Sequence, residues 1–153
     1  MNCLMTDMLA LANEKYLQMM ELLQLTKEQT AALAAEDVDQ LGRNVESKQN
    51  IIDRVNFLDA KYQELKAQQL SEENASRIEN LKDDSFVRQI TDLDVKINRV
   101  GKEMMVIDQK NLERGKLLLE KIGATLLHVR KAPGVSQAYR SGMSAAIFIN
   151  RQG

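Results

Sequence analysis

The amino-acid sequence predicts an all-α protein: an elongated antiparallel bundle of three long, coiled-coil-like helices with a C-terminal tail. Three observations support this fold class. Leu, Ala, Met, Glu, Lys and Gln are abundant, and all of them are good helix formers. The single proline is Pro133, so the strongest helix breaker is missing from the first 132 residues. Apolar residues recur at alternating steps of three and four along most of the chain.

The first helix is predicted from about Leu4 to Ala35, because an apolar stripe with the spacing of a coiled-coil seam runs along this segment. Toward the end of the stripe, Thr26 and Thr30 replace large apolar side chains. The stripe consists of Met5, Leu9, Ala12, Tyr16, Met19, Leu23, Thr26, Thr30 and Leu33.

A break is predicted at residues 36–39, where acidic side chains suit the N-terminus of a second helix. This helix is predicted to end near Gln69. Ser71 is then expected to cap a short further segment that contains Ile78 and Leu81. The stripe of the second helix consists of Val38, Leu41, Val45, Lys48, Ile52, Val55, Leu58, Tyr62 and Leu65.

The last helix is predicted from residue 86 to about residue 130, a length of roughly 65 Å. It is the longest of the three, so one of its ends is expected to project beyond its neighbours. Its stripe consists of Phe86, Ile90, Leu93, Ile97, Val100, Met104, Ile107, Asn111, Gly115, Leu118, Ile122 and Val129. Ala132-Pro133-Gly134 should stop the helix, so the predicted organisation is a bundle domain over residues 1–131 and a flexible basic tail over 132–153.

Polar residues and methionines interrupt the apolar stripes. Lys48 and Asn111 either are buried, where they would set the register of the helices, or lie at the stripe's edge with the Lys48 amine reaching water. Met19-Met20 and Met104-Met105 are adjacent pairs, and neighbours on a helix point about 100° apart. One member of each pair is therefore expected to be partly exposed.

The charge distribution indicates the kind of partner, and the lack of a secretory signal and of a membrane span predicts a cytoplasmic protein. Residues 121–153 contain five Lys or Arg and no Asp or Glu, whereas the preceding part of the chain is acidic. This balance disfavours nucleic-acid binding and favours an acidic protein partner for the tail. Neither a secretory signal nor an apolar run of the ~20 residues needed to span a bilayer is found, so no stable membrane insertion is expected.

No catalytic, cofactor-binding or metal-binding residues are predicted. The one histidine, His128, and the one cysteine, Cys3, cannot form a conventional zinc site. Asp83-Asp84 is explained by capping of the following helix. No phosphate-binding loop, nucleophile elbow or calcium loop occurs. The sequence therefore favours a protein that binds another protein over an enzyme.

Several segments resemble the FlgN family of flagellar export chaperones. They include a break of small and acidic residues, then a helix in which a lysine precedes paired aliphatics and a leucine. A tail tyrosine followed by glycine and an aliphatic–Phe cluster is a further likeness. The segments are Ala34–Leu41, Glu46–Ile52, Leu58, Asn111-Leu112, Leu117–Leu119, and Tyr139 with Gly142 and Ile147–Ile149.

The resemblance implies a cytosolic chaperone for hook-filament junction proteins (hook-associated proteins). Such a chaperone binds the helical terminal segment of its client, prevents aggregation, and delivers the client to the export gate. Tyr139 matches a tail tyrosine used for docking on the gate. Within the same class, a FliT-like chaperone of the filament cap is an alternative. From a different class, the alternative is a structural coiled-coil module that forms a homodimer or spaces other proteins.

The client helix is expected to lie in an apolar groove on the projecting half of the last helix. An aggregation-prone helix carries an apolar stripe, which such a groove would cover with little rearrangement. The predicted partner-binding residues are Met104, Ile107, Leu118, Leu119, Ile122 and Leu126 for the client, and Tyr139 for the export gate.

Overall fold

Three helices account for nearly all of the residues that can be described. The computed structural model describes residues 3–75 and 85–129, with side chains for 3–71 and 85–127. The helices are α1, Cys3–Ala34; α2, Val38–Ala75; and α3, Ser85–Val129. No strand occurs in these two stretches. The predicted all-α three-helix bundle is confirmed. Within the described stretches, no helix combines the length and apolar character needed to cross a membrane.

The turn between α1 and α2 is closed by local backbone hydrogen bonds. The Asp37 N–H donates to the Ala32 carbonyl at 2.9 Å, and the Glu36 N–H donates to the Leu33 carbonyl at 3.1 Å. This pair of bonds is a Schellman motif, which satisfies carbonyls left over at a helix end. Glu36 has φ 55°, the left-handed conformation that glycine usually adopts there.

Asp37 also starts α2. Its Oδ1 accepts the Gln40 N–H at 3.0 Å, and its carbonyl accepts the Leu41 N–H at 3.0 Å. An aspartate at this position satisfies an N–H that has no partner within the helix. The predicted break is therefore confirmed at Glu36 and Asp37, whereas Val38 and Asp39 already lie in α2. One aspartate, Asp37, both closes α1 and caps α2.

The predicted end of α2 near Gln69 is wrong, because the helix continues through Ser71 to Ala75. A serine is a good cap, but it also tolerates a helix interior at a modest penalty. No Gly or Pro near Ser71 stops the helix, so the capping signal alone does not end it. Ile78 and Leu81 lie outside the described residues. α3 begins at Ser85, within one residue of the prediction.

The chain divides into two compact units. The described part of the first unit comprises residues 3–21, 51–75 and 85–101, and its core is apolar. Met5, Met8 and Ile90 form a buried cluster, against which Leu9, Tyr62, Leu65 and Phe86 pack. Further buried side chains of this unit are Ala12, Ile51, Val55, Leu58, Leu93, Ile97 and Val100. Lys15 pairs with Asp59 at 2.7 Å on its surface.

The described part of the second unit comprises residues 22–50 and 102–129. Around the α1–α2 turn its core is apolar: Ala32, Leu33, Leu41 and Leu118 form a buried cluster, against which Val38, Leu119 and Ile122 pack. Within this unit α3 extends past the end of α1, since Ala34 lines the same groove as Leu117 and α3 continues for roughly three more turns. Farther from the turn, the core becomes polar.

The expectation for the methionine pairs is confirmed. Met104 is 2% exposed and its neighbour Met105 is 66% exposed. Met19 is half-buried, whereas Met20 is exposed. Each pair thus has one member facing the bundle and one facing solvent, as the angle between neighbouring residues on a helix requires.

Candidate functional site

An apolar groove lies where the start of α2 meets the last turns of α3. We call it the α2-side groove; its volume is about 290 Å³. Val38 lines it from α2, and Leu118, Ile122 and Leu126 line it from α3. Glu36, Lys121 and Thr125 complete the lining. The three leucine and isoleucine residues are spaced four apart, which places them on one face of α3. They are three of the residues predicted to bind the client helix.

A second groove, the α1-side groove, lies between the end of α1 and α3 and has a volume of about 240 Å³. Leu33 and Ala34 line it from α1, and Arg114 and Leu117 line it from α3. Glu36, Leu118 and Lys121 line both grooves. Leu117 is 66% exposed, so much of a large apolar side chain faces solvent at this groove.

The ion pair between Lys121 and Glu36 stands between the two grooves. The Lys121 Nζ lies 2.6 Å from the Glu36 Oε1, and both side chains are exposed. An exposed pair of this kind contributes only ~0–1 kcal/mol to stability. The left-handed backbone at Glu36 belongs to the Schellman motif that ends α1.

The other predicted client-binding residues do not line either groove. Met104 is buried in the core, and Ile107 is half-buried. Leu119 packs against the apolar cluster below the α1–α2 turn. Leu118 has a double role, because it is a buried member of that cluster as well as a lining residue. Tyr139 lies outside the described residues.

A polar layer crosses the core of the second unit. The Lys48 Nζ donates to the Gln29 Oε1 at 3.2 Å and to the Asp108 Oδ1 at 3.3 Å. Lys48 is only 2% exposed. Burial lowers the pKa of the Lys48 amine, against the opposing effect of the Asp108 carboxylate. Burial likewise raises the pKa of Asp108, although the charge of Lys48 acts against that shift.

Asn111 forms the second part of this polar layer. Its Nδ2 donates to the Thr26 carbonyl at 3.1 Å, and its Oδ1 accepts the Thr30 hydroxyl at 2.7 Å. Asn44 Nδ2 donates to the Leu25 carbonyl at 3.0 Å, and its buried Oδ1 accepts no hydrogen bond from the described residues. Of the two alternatives for Lys48 and Asn111, the structure therefore shows burial and not a position at the stripe's edge.

Several of these residues are not predicted from the sequence. Gln29, Asn44 and Asp108 were not predicted to be buried, although each lies three or four positions from a predicted stripe residue. Val38 and Leu33 were predicted as core but not as groove residues, and Glu36 as part of a break. Arg114 and Leu117 had no predicted role. The groove side chains come together where the α1–α2 turn contacts α3, and the spacing of residues along the sequence does not reveal that contact.

Four of the seven residues that line each groove are aliphatic. The charged lining residues, Glu36, Arg114 and Lys121, are exposed. Among the described residues, no group of three His, Cys, Asp or Glu side chains is arranged to hold a metal ion. Comparison with protein-family models, with curated proteins and with solved structures gives no match to this chain.

Proposed function

We propose that this protein is a chaperone that binds an amphipathic helix of a client protein. The observation that carries the proposal is the α2-side groove. It is lined by one apolar face of α3 and by Val38, and it opens to solvent. A groove of this kind accepts the apolar stripe of a helix, with residues of the stripe spaced three or four apart as anchors.

The composition of the groove supports a helical ligand over a small polar molecule. Most of its wall is apolar and is supplied by Val38, Leu118, Ile122 and Leu126. The three polar lining residues, Glu36, Lys121 and Thr125, are exposed. A small-molecule site usually contains convergent polar groups that fix the orientation of the ligand. An aliphatic groove on the surface of a helical bundle instead suits a ligand that is recognised by its apolar side chains.

We further propose that the client is a hook-filament junction protein, and that its helical terminal segment occupies the groove until export. This identification depends on the sequence resemblance to the FlgN family. The location would then be the cytoplasm, where clients are kept unassembled before delivery to the export gate. A FliT-like role with a filament-cap client is the alternative within the same class.

The proposal can be tested with two adjacent leucines. Leu126 lines the α2-side groove, whereas Leu127 is 71% exposed and lies on another face of α3. The ligand is a synthetic peptide with the sequence of a hook-filament junction protein's helical terminal segment, and its affinity is measured by calorimetry. Because a buried leucine contributes ~1.5–3 kcal/mol, Leu126→Gln should weaken binding by about ten-fold or more. Leu127→Gln should leave the affinity unchanged.

Two further results would decide against the proposal. The first is peptide binding that is insensitive to Leu126→Gln, provided that the variant unfolds at the wild-type urea concentration. The second is strong self-association, measured by sedimentation, without any peptide binding. That second result would support the structural coiled-coil module that forms a homodimer.

We propose that Tyr139 docks the loaded chaperone on the export gate, as the resemblance implies. The expected result for Tyr139→Ala is normal client binding with reduced secretion of the client. Tyr139→Phe separates the roles of the ring and the hydroxyl group. Normal secretion in Tyr139→Ala would remove the docking role and leave the groove proposal unaffected.

A further inference from the structure

The α1-side groove combines an exposed apolar side chain with positive charge. Leu33 and Ala34 on α1 face Arg114 and Leu117 on α3, with Leu118 shared with the neighbouring groove. A single exposed leucine is common on protein surfaces. Here, however, the exposed Leu117 borders a recess that is also lined by the aliphatic Leu33, Ala34 and Leu118, so a ligand side chain could cover it.

The charges around this groove are unevenly placed. Arg114 lines the groove and forms no ion pair within the described part of the chain, while Lys121 lines it one turn beyond Leu117. The one acid in the lining, Glu36, is already the partner of Lys121. Glu113 and Glu120 also flank Leu117, at spacings of four and three residues, but neither lines the groove. Positively charged side chains therefore lie on the groove side of Leu117, and carboxylates lie on its other side.

From this arrangement we infer that the segment bound in the α1-side groove is an amphipathic helix with carboxylates along one edge of its apolar stripe. Its apolar side chains cover Leu117, and a carboxylate on its edge pairs with Arg114. A guanidinium is well suited to this contact, because its planar fork can donate two hydrogen bonds to one carboxylate. The inference rests on the proposed function and goes beyond it, since it adds a second groove and specifies the charge of the client segment that lies there.

The same charges argue against the chain's own C-terminal segment as the occupant. Residues 130–153 contain four Lys or Arg and no Asp or Glu. A segment of that charge would bring like charges next to Arg114, and like charges in contact disfavour an interface. The acidic-edged helix is thus the occupant with the complementary charge.

Two synthetic peptide probes test the inference. Both are amphipathic helices with the same leucine stripe; one has glutamates along the edge of the stripe and the other has lysines. The glutamate peptide should bind several-fold more tightly at low salt, and the preference should shrink at high salt because exposed charges are screened. Arg114→Gln should weaken binding of the glutamate peptide by about three-fold, the size of one exposed ion pair. It should not weaken binding of the lysine peptide.

Lys116→Gln is the matched control. Lys116 is exposed, lies two positions from Arg114 and does not line the groove, since positions two apart on a helix face different directions. Its removal changes the net charge of the protein by the same amount as Arg114→Gln. An equal loss of affinity in the two variants would mean a diffuse effect of net charge and would overturn the inference.

The remaining outcomes separate the inference from the proposed function. If both peptides bind with equal affinity, or if the lysine peptide binds more tightly, the inference of an acidic-edged helix is wrong. The proposed helix-binding function is then unaffected. Absence of binding by both peptides and by the client peptide overturns both. Self-association that Arg114→Gln abolishes would assign the groove to a second copy of this chain, and the inference would again be wrong.

Discussion

The two units of the molecule differ in what fills their cores. In the first unit, every described buried side chain is apolar, from Met5 and Met8 to Val100. In the described part of the second unit, six polar or charged residues are buried. They are Thr26, Gln29, Asn44, Lys48, Asp108 and Asn111. The same three helices thus form one core held by apolar packing and another that contains a hydrogen-bonded polar layer.

Because of this difference, we expect the two cores to contribute differently to the stability of the fold and to the alignment of its helices. Apolar side chains of similar size can exchange neighbours with little penalty, so an apolar core tolerates small shifts between helices. If a shift leaves buried polar groups without hydrogen-bond partners, the folded state is destabilised by several kcal/mol. Lys48 and Asn111 each join α3 to α1 or α2 through defined atoms. We therefore expect the polar layer to fix the register of α3 in the unit that carries the grooves, and to stabilise the fold less than apolar residues would.

The largest expected effect comes from breaking the buried ion pair on one side only. Asp108→Leu removes the carboxylate partner of Lys48, whose charge then stays in the core. Such a change should lower the free energy of unfolding by about 3–5 kcal/mol, measured by urea denaturation. Asp92→Leu, at an exposed position of α3, is the control and should change stability by less than about 0.5 kcal/mol. If Asp108→Leu were as stable as the wild type, the Lys48–Asp108 pair would not be desolvated in the folded protein.

The corresponding test in the first unit is Leu58→Ala. Leu58 is among the most buried side chains of the chain. Its truncation should cost about 2–5 kcal/mol, from lost transfer energy and from the cavity that remains. Leu70→Ala provides the comparison, because Leu70 lies on the same helix and is exposed. Similar small losses in both variants would contradict the apolar core described for this unit.

Replacing Lys48 together with its partners Gln29 and Asp108 should not lower the free energy of unfolding, in contrast to Asp108→Leu alone. In the variant Gln29→Leu/Lys48→Met/Asp108→Leu, no buried charge is left behind. We expect the free energy of unfolding to stay level or to rise by about 1–4 kcal/mol. If the layer sets the register, amide NMR signals of the second unit should broaden or double in this variant. A loss of stability as large as that of Asp108→Leu alone would mean that the layer contributes net stability.

The smallest expected effect is on the pH dependence of stability. The pKa of Asp108 is raised in the folded protein, so between its ordinary value of 3.8 and the raised value the folded state binds a proton that the unfolded chain does not. Lowering the pH through that window therefore adds to the free energy of unfolding. Relative to Asp108→Asn, the wild type should gain stability as the pH falls from neutral toward 3.8, and the difference should then level off. Parallel pH profiles for the two proteins would contradict this prediction.

The sequence was sufficient to predict the helices because each carries a sustained apolar stripe. Every residue of the predicted stripe of α1, from Met5 to Leu33, is buried or half-buried. The acidic break also marked the α1–α2 turn correctly. The end of α2 could not be placed, because Ser71 is compatible with both a cap and a helix interior.

The candidate site was only partly predictable. Spacing placed Leu118, Ile122 and Leu126 on one face of α3, and these three do line a groove. Spacing could not show that Met104 lies in the core, because a core stripe and a binding stripe have the same period. Nor could it show which polar residues across the bundle would meet Lys48. That contact depends on the alignment of Gln29 and Asp108 on two other helices.

The α1–α2 turn has a consequence for the order in which the chain folds. Each of its backbone hydrogen bonds joins residues five positions apart or fewer, so they close without a large loss of loop entropy. The helical segments on either side of the turn both belong to the second unit. We therefore expect them to pair early, as local contacts generally do. Lys48 and Thr26 would remain hydrated in that hairpin until Asp108 and Asn111 arrive, so the removal of water from the polar layer falls in a late step and slows the docking of α3.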